Sequence, residues 1–340
     1  MHKKASVFSL ISAVILLLTL TSSQITSAST LNLILLKEKE SYDLGEEIVI
    51  GGRLLIDGSP ISDGLVTLEI KDPHDTIILL RTLNTGSTPN GPWVIELLTA
   101  FTCDSGGTPK SVFRCGYPMY FNITLKNNGV SAQHVVVVIS LKYSNGLPFQ
   151  TFIFHETDLE GNARISLIKG ILIPSNAVTG ITAMYVSALS NLPHNNGFAW
   201  CPEKFSTFTI TSSGSTALTT STEVQFSTLT LVDFNASIKT NSKGGILGNY
   251  TVYAISFYQQ TYLITNQTTF QTILVGDITG PAGIPDGFVD MRDLYAVVLA
   301  YMSYPGHPKW NPAADIIKDD IIDMKDIYAV VLRYGNWGIY

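Results

Sequence analysis

The chain has 340 residues, enough for about two or three domains. Only 14% of them are charged, against roughly 25% in an ordinary globular protein, and the net charge of −6 with no basic stripe argues against a nucleic-acid partner. Nine Asp fall between 277 and 326, so the acidity is a local device and not a property of the whole surface.

Residues 1–28 have the form of an export signal. His2, Lys3 and Lys4 precede the apolar run FSLISAVILLLTL, and the small residues TSA follow at 26–28. The run is short for a spanning helix. Export with cleavage is the reading adopted, and an uncleaved anchor is the alternative. The membrane is then met only through this segment, and the mature chain is expected outside the cell or at its surface. A disulfide is permitted there. Of the three cysteines, Cys103 ends one expected strand and Cys115 begins the next, so a Cys103–Cys115 bridge is favoured, with Cys201 left over. Sequons at Asn122, Asn235, Asn249 and Asn266 are compatible with glycosylation.

From 31 to 275 the texture is β. EEIVIGGRLLID, GLVTLEIKD, TIILLRTL, HVVVVISLKY, FQTFIFHE and ARISLIKGI are short runs rich in Val, Ile, Leu and Thr. Gly, Pro, Asn and Asp interrupt them every eight to twelve residues, a spacing that predicts antiparallel sandwiches. Long helical periodicity is absent before 290. The segment YDLGEEIVIGGRLLIDGSPISDGLVTLEIKDP (42–73) resembles the opening of macroglobulin-type and other immunoglobulin-like secreted domains, with a Tyr-x-x-Gly-Glu entry and alternating strands around DGSP. Residues 234–273, with GNYTVYA and TTFQT, look like the closing strands of the same family. An immunoglobulin-like sandwich needs roughly 100 residues. This predicts a split domain, 31–91 plus 224–275, with a second sandwich, 92–212, inserted at a loop tip and 211–223 as the return linker. Three domains in series is the alternative; it leaves fragments short of a self-sufficient core.

The C-terminal part carries the sharpest pattern. IPDGFVDMRDLYAVVLAY (284–301) is nearly repeated as IKDDIIDMKDIYAVVLRY (317–334), 33 positions on. Calcium takes six to eight oxygen ligands from alternating loop positions, with a final acid at position 12 where a helix begins. In the second copy those positions fall on Asp315 (1), Ile317 (3), Asp319 (5), Ile321 (7, through its carbonyl), Asp323 (9) and Asp326 (12). In the first they fall on Asp286 (5), Phe288 (7, carbonyl), Asp290 (9) and Asp293 (12), with Asp277 and Thr279 as 1 and 3 and five extra residues around GPAGIP. Met291, Leu294, Tyr295, Val298 and Tyr301 form one apolar face of the following helix, and Met324, Ile327, Tyr328, Val331 and Tyr334 reproduce it. Two such faces are expected to pack together, with metal supplying the stability a core this small lacks.

This segment resembles a type I dockerin, a duplicated calcium loop–helix module that docks secreted proteins onto cohesin domains. The resemblance covers about 275–338, and 276–338 is taken as the module. It implies two calcium ions, an antiparallel helix pair and a cohesin-like or other surface-protein partner. The match departs from the family in three places: the longer first loop; Ile317 and Asp320 where Asn or Asp and Gly are usual; and Met291–Arg292 and Met324–Lys325 where Ser/Thr-like pairs read the partner. Trp310, between the copies, is read as covering a small core.

No enzyme signature accompanies these features. HETDLEGN (155–162) lacks the zinc-type His-Glu-x-x-His spacing, and no Gly-x-Ser-x-Gly elbow or phosphate loop occurs. The expectation is a mostly β, non-catalytic, secreted structural or adhesion protein. The alternative is an accessory component of an extracellular polysaccharide-degrading assembly, its sandwich surfaces binding glycan.

Overall fold

A computed structural model describes residues 29–212, 233–259, 262–280 and 284–340. The expected export signal lies outside these residues, as do most of the expected return linker and positions 281–283 of the first loop. The described chain is mostly β, with two α-helices near its end, and Leu31–Tyr340 forms one compact unit. No described helix is long and apolar enough to cross a membrane.

Two sandwiches account for most of the described strands. In one, a sheet ordered Leu31–Lys37, Glu47–Ile56 and Phe234–Lys239 faces a sheet ordered Ser41–Asp43, Tyr262–Ile273, Gly248–Tyr258, Asp63–Lys71 and Ile77–Gly86. Their inner faces meet in a core containing Leu33, Ile50, Val66, Leu68, Phe234, Val252 and Phe270. That core therefore draws on chain before residue 84 and after residue 233. At the close crossing of Glu47–Ile56, Gly52 lies against the Ile34 carbonyl and the Phe234 ring, where a Cβ would collide.

In the other sandwich, Arg164–Leu172, Pro118–Asn127 and Ile95–Cys103 form one sheet. Pro148–Leu159, Gln133–Tyr143, Gly180–Leu189, Lys204–Thr211 and Val112–Arg114 form the facing one. Ile95, Phe121, Ile123, Val135, Val137, Ile139 and Phe208 fill the space between. Within the sandwiches, pairing among the described strands is antiparallel except where Val112–Arg114 joins Lys204–Thr211 and Ser41–Asp43 joins Tyr262–Ile273.

The sandwiches pack back to back, and this explains why two strands are buried on both faces. In Gln133–Tyr143, Val135 and Val137 point into one core while Val136 and Val138 meet Leu80 and Leu189 in the seam. The seam is also bonded: Leu80 N–H donates to Ser140 Oγ at 3.0 Å, and Thr82 Oγ1 to Ser187 Oγ at 3.0 Å. Arg81 donates to both oxygens of Glu203 at 3.0 and 3.1 Å and lies 3.5 Å from the Tyr185 ring centroid. A buried charge at this depth is tolerable because it is paired and bonded. The buried Glu69 accepts from both the backbone N–H and the ring Nδ1 of His194, the latter at 2.7 Å.

The expected Cys103–Cys115 bridge is absent: all three cysteines are free and buried. Cys103 ends a strand of the three-stranded sheet, opposite Tyr120, whereas Cys115 follows Val112–Arg114 on the edge of the facing sheet. The turn after Cys103 pairs it with Pro109, and the chain then leaves for the other layer. Burial pushes the Cys201 thiol up to about 12 and the Cys103 thiol above its usual value, so neither offers a thiolate at neutral pH.

Candidate metal centre

The two helices, α1 (Met291–Ala300) and α2 (Met324–Val331), start in the same way. Asp290 caps α1, its side chain accepting from Arg292 N–H, and Asp293 reaches back to the Asp290 N–H. Asp323 and Asp326 repeat this on α2. Both starts are capping boxes with Asp in place of Glu, placed where the helix dipole favours negative charge.

The duplication extends to the loops. Asp293 Oδ1 accepts from Ile278 N–H and Thr279 N–H, each at 2.9 Å, and Oδ2 accepts from Asp290 N–H at 2.8 Å. Asp326 Oδ1 accepts from Ile316 N–H at 2.7 Å and Ile317 N–H at 3.0 Å, and Oδ2 from Asp323 N–H at 2.8 Å. At the loop entries, Asp277 accepts from the N–H groups of Asp286 and Gly287, and Asp315 from those of Asp319 and Asp320. Gly287 has φ +84° and Asp320 φ +64°, so both loops turn through the left-handed region at the same position. Asp tolerates that region better than most residues do. The first loop is five residues longer between Thr279 and Asp286, and the described residues on either side make the same anchoring bonds as the second.

A local two-fold relation joins the halves. Val289 N–H donates to Asn336 O while Gly335 N–H donates to Val289 O; Ile322 N–H donates to Ser303 O while Met302 N–H donates to Ile322 O. Each loop is thus held by the residues just beyond the other copy's helix. Beneath lies a core of Val289, Val297, Ala300, Ala314, Ile322 and Val330, with Trp310 packed against it. Leu44, Leu247 and Leu274 share this core. Trp337–Ile339 adds a parallel strand to Lys243–Ile246, and Arg333 pairs with Asp43. The module is seated on the sandwich.

The helix face that packs differs from the one periodicity selects. Asp293, Val297 and Ala300 are buried, with Leu294 half-buried, while Met291, Tyr295 and Val298 are 63, 62 and 48% exposed. On α2, Asp326, Ala329 and Val330 face inward, and Met324, Tyr328 and Val331 are 60, 61 and 47% exposed. The physical reason is the buried carboxylate. Held by three backbone N–H groups, Asp293 sets the rotation of α1, so the residues at i+4 and i+7 go inward with it.

Of the residues the sequence singles out, Asp277, Asp293, Asp315 and Asp326 are at most 8% exposed and serve as the anchors just described. Thr279 meets Asp293 through its N–H. Asp286 and Asp290 turn instead to Arg292, each at 2.7 Å. Asp319 and Asp323 turn to Lys325, at 2.8 and 3.6 Å. Phe288 and Ile321 expose their side chains. Sequence reasoning treated Arg292 and Lys325 as partner-facing; their placement two residues after a loop Asp is the signal it passed over. Hydrogen bonding to Arg292 holds the Asp290 carboxyl below its usual range, and Lys325 does the same for Asp319. Burial pushes the Asp277 carboxyl up, and the neighbouring Asp293 and Asp286 charges add to that rise.

These donors fit a hard cation in kind, since carboxylate and carbonyl oxygens are what calcium takes. A carboxylate that accepts two N–H bonds keeps lone pairs for a metal. As the side chains stand, no three His, Cys, Asp or Glu among the described residues are placed to hold a metal ion. Arg292 and Lys325 occupy the acids that would complete each set.

No protein-family model matches the chain, and no curated protein matches it. Among solved structures, the alkylpurine DNA glycosylase AlkC of Pseudomonas fluorescens is 12% identical at a TM-score of 0.28, over 36% of this chain and 31% of that one. The C-terminal domain of wzt is 10% identical at 0.31, over 42% of this chain and 87% of that one. A Niemann-Pick type C2 protein from Japanese carpenter ant is 8% identical at 0.25, over 36% of this chain and 96% of that one. The chain thus spans under a third of the first of these, and similarities of this size assign no activity.

Proposed function

We propose that this chain is an exported, non-catalytic protein of a cell surface or extracellular matrix, and that its C-terminal repeat is a dockerin-like calcium module that stabilises it and docks a partner. The observation that carries the reading is the identical anchoring of Asp293 and Asp326 by three backbone N–H groups each, in loops of unequal length. A mere helix cap needs one or two such bonds. Three, together with a second buried Asp across the loop, build a shell of oriented carboxylates. In the first loop the ion would be held by Asp277, Asp286, Asp290 and Asp293 with the Phe288 carbonyl and Thr279. In the second it would be held by Asp315, Asp319, Asp323 and Asp326 with the Ile321 carbonyl. Arg292 and Lys325 would release their acids on binding.

The docking part of the reading is supported by the exposed apolar residues at equivalent places on both helices, Met291, Tyr295 and Val298 on α1 and Met324, Tyr328 and Val331 on α2. Met291, Tyr295 and Val298 of α1 line one shallow hollow together, and exposed apolar groups gathered in this way mark interaction sites. The same faces leave open recruitment to a polysaccharide-degrading assembly through a cohesin-like partner. Calcium titration calorimetry on the chain, with melts in calcium and in chelator, is the test. Two binding events and a raised melting temperature are expected; no heat and no shift would reduce the repeat to a helical hairpin with acidic caps.

A further inference from the structure

A cavity of about 270 Å³ opens between the sandwiches, lined by Trp93, Trp200, Phe257, Tyr258, Asp63 and Asn90 among others. Its size is just under the roughly 300–1,000 Å³ of small-molecule sites, which favour such junctions. We propose that it is a saccharide-binding cleft that takes one or two pyranose rings of a glycan chain.

Two of the lining aromatics have already spent their donors. The Trp200 indole N–H donates to the His134 carbonyl at 3.1 Å, and the Tyr258 hydroxyl to Asp63 Oδ1 at 3.2 Å. What these side chains offer a ligand is therefore ring face. Phe198 braces the wall, its ring 5.0 Å from Trp200 and 4.2 Å from Phe257, so the aromatic surface is held in place before any ligand arrives. Trp93 is half-buried on the connector between the sandwiches. The polar lining consists of a carboxylate and amides: Asp63 and Asn90 are exposed, and among the described residues lining the cleft there is no Lys, Arg or His.

That combination matches a pyranose. Its C–H faces stack on aromatic rings, which carry a negative face, and its hydroxyls donate to a carboxylate and exchange bonds with an amide. A proline-rich peptide also docks between aromatics. Proline, however, has no N–H to give the Asp63 carboxylate, and the Trp200 indole N–H is already used. Anionic ligands find no counter-charge.

The cleft shares no residue with the C-terminal repeat, so the proposal stands apart from the calcium reading. The test is titration of the full chain with the β-1,4-linked hexasaccharides of glucose, xylose, mannose and N-acetylglucosamine, followed by tryptophan fluorescence and calorimetry, in calcium and in chelator. At least one is expected to bind in both conditions. Trp93→Ala is expected to weaken that binding about tenfold or more. Trp93 also packs against a core, so the exposed Asp63→Ala is the second variant, expected to weaken binding with an unchanged melting curve. Silence toward all four sugars, or binding unaltered by both variants, would overturn the proposal. Binding of a polyproline peptide in their place would reassign the cleft to protein recognition.

Discussion

Replacing Asp326 by alanine strips the acceptor from three backbone N–H groups, those of Ile316, Ile317 and Asp323. The side chain is fully buried, but the three bonds lie in partly accessible ground, so water restores some of what is lost. At about 1–2 kcal/mol for each charge-assisted bond, the module loses about 3–6 kcal/mol. None of this depends on metal. The chain has several cores, and a single global unfolding energy is not the right readout. Hydrogen exchange of the α2 amides reads the opening of this part alone. Ile327 N–H bonds to Asp323 O and Leu332 N–H to Tyr328 O, so neither touches Asp326. A loss of about 3 kcal/mol accelerates their exchange roughly 100-fold, in chelator as well as in calcium. Any further loss seen in calcium alone measures the metal's share. Exchange at the wild-type rate in chelator would refute the reasoning, because the anchoring would then form only around an ion.

Three further outcomes are expected. Burial, with the Arg81 charge behind it, pulls the Lys142 ammonium down from 10.5 to about 8; the unfolded chain then binds more protons than the native one between those values, so stability rises with pH across that window. Lys142→Met should therefore be the more stable protein below pH 8, by up to about 3 kcal/mol, with the advantage fading as pH rises through the 8–10.5 window; urea midpoints on either side of it check this. Leu247→Ala removes a side chain that is 4% exposed and lies in the core shared by sandwich and module; a loss of about 2–5 kcal/mol is expected, and exchange should quicken in both α1 and the Gly248–Tyr258 strand, whereas a change in one alone would mean the core is not shared. Asp320→Gly relieves a left-handed residue at φ +64° and should raise the melting temperature through a gain of up to about 1 kcal/mol.

The β texture was legible because short Val- and Ile-rich runs between turn residues have few other solutions. What hydropathy could not reveal is which strands are covered twice. HVVVVISLKY reads as apolar whether one face is buried or two, and only the seam with Leu80 and Leu189 separates Val136 and Val138 from their neighbours. The helix face failed for a related reason. Periodicity scores Met291 and Tyr295 as interior and Asp293 as surface, yet backbone N–H donors from a segment some fifteen residues away pull Asp293 inside. The disulfide inference failed on layers: proximity in sequence placed Cys103 and Cys115 in one hairpin, and the chain placed them on facing sheets. Of the acids the spacing singles out, Asp277, Asp293, Asp315 and Asp326 are buried anchors, while Asp286, Asp290, Asp319 and Asp323 turn to cations. Those cations, Arg292 and Lys325, were in plain view but were assigned outward.

The parallel pairing of Trp337–Ile339 with Lys243–Ile246, and the clamp of Arg333 on Asp43, have a mechanical meaning. A load applied to the helices does not pass through the covalent link at Leu274 alone. It divides between that link and a second path, the C-terminal strand, whose backbone bonds to the sandwich are sheared together and do not open one by one. The module cannot swing like a bead on a string; it is a handle fixed at a set angle. A partner docked on Tyr295 and Tyr328, as proposed above, would thereby orient both sandwiches as well.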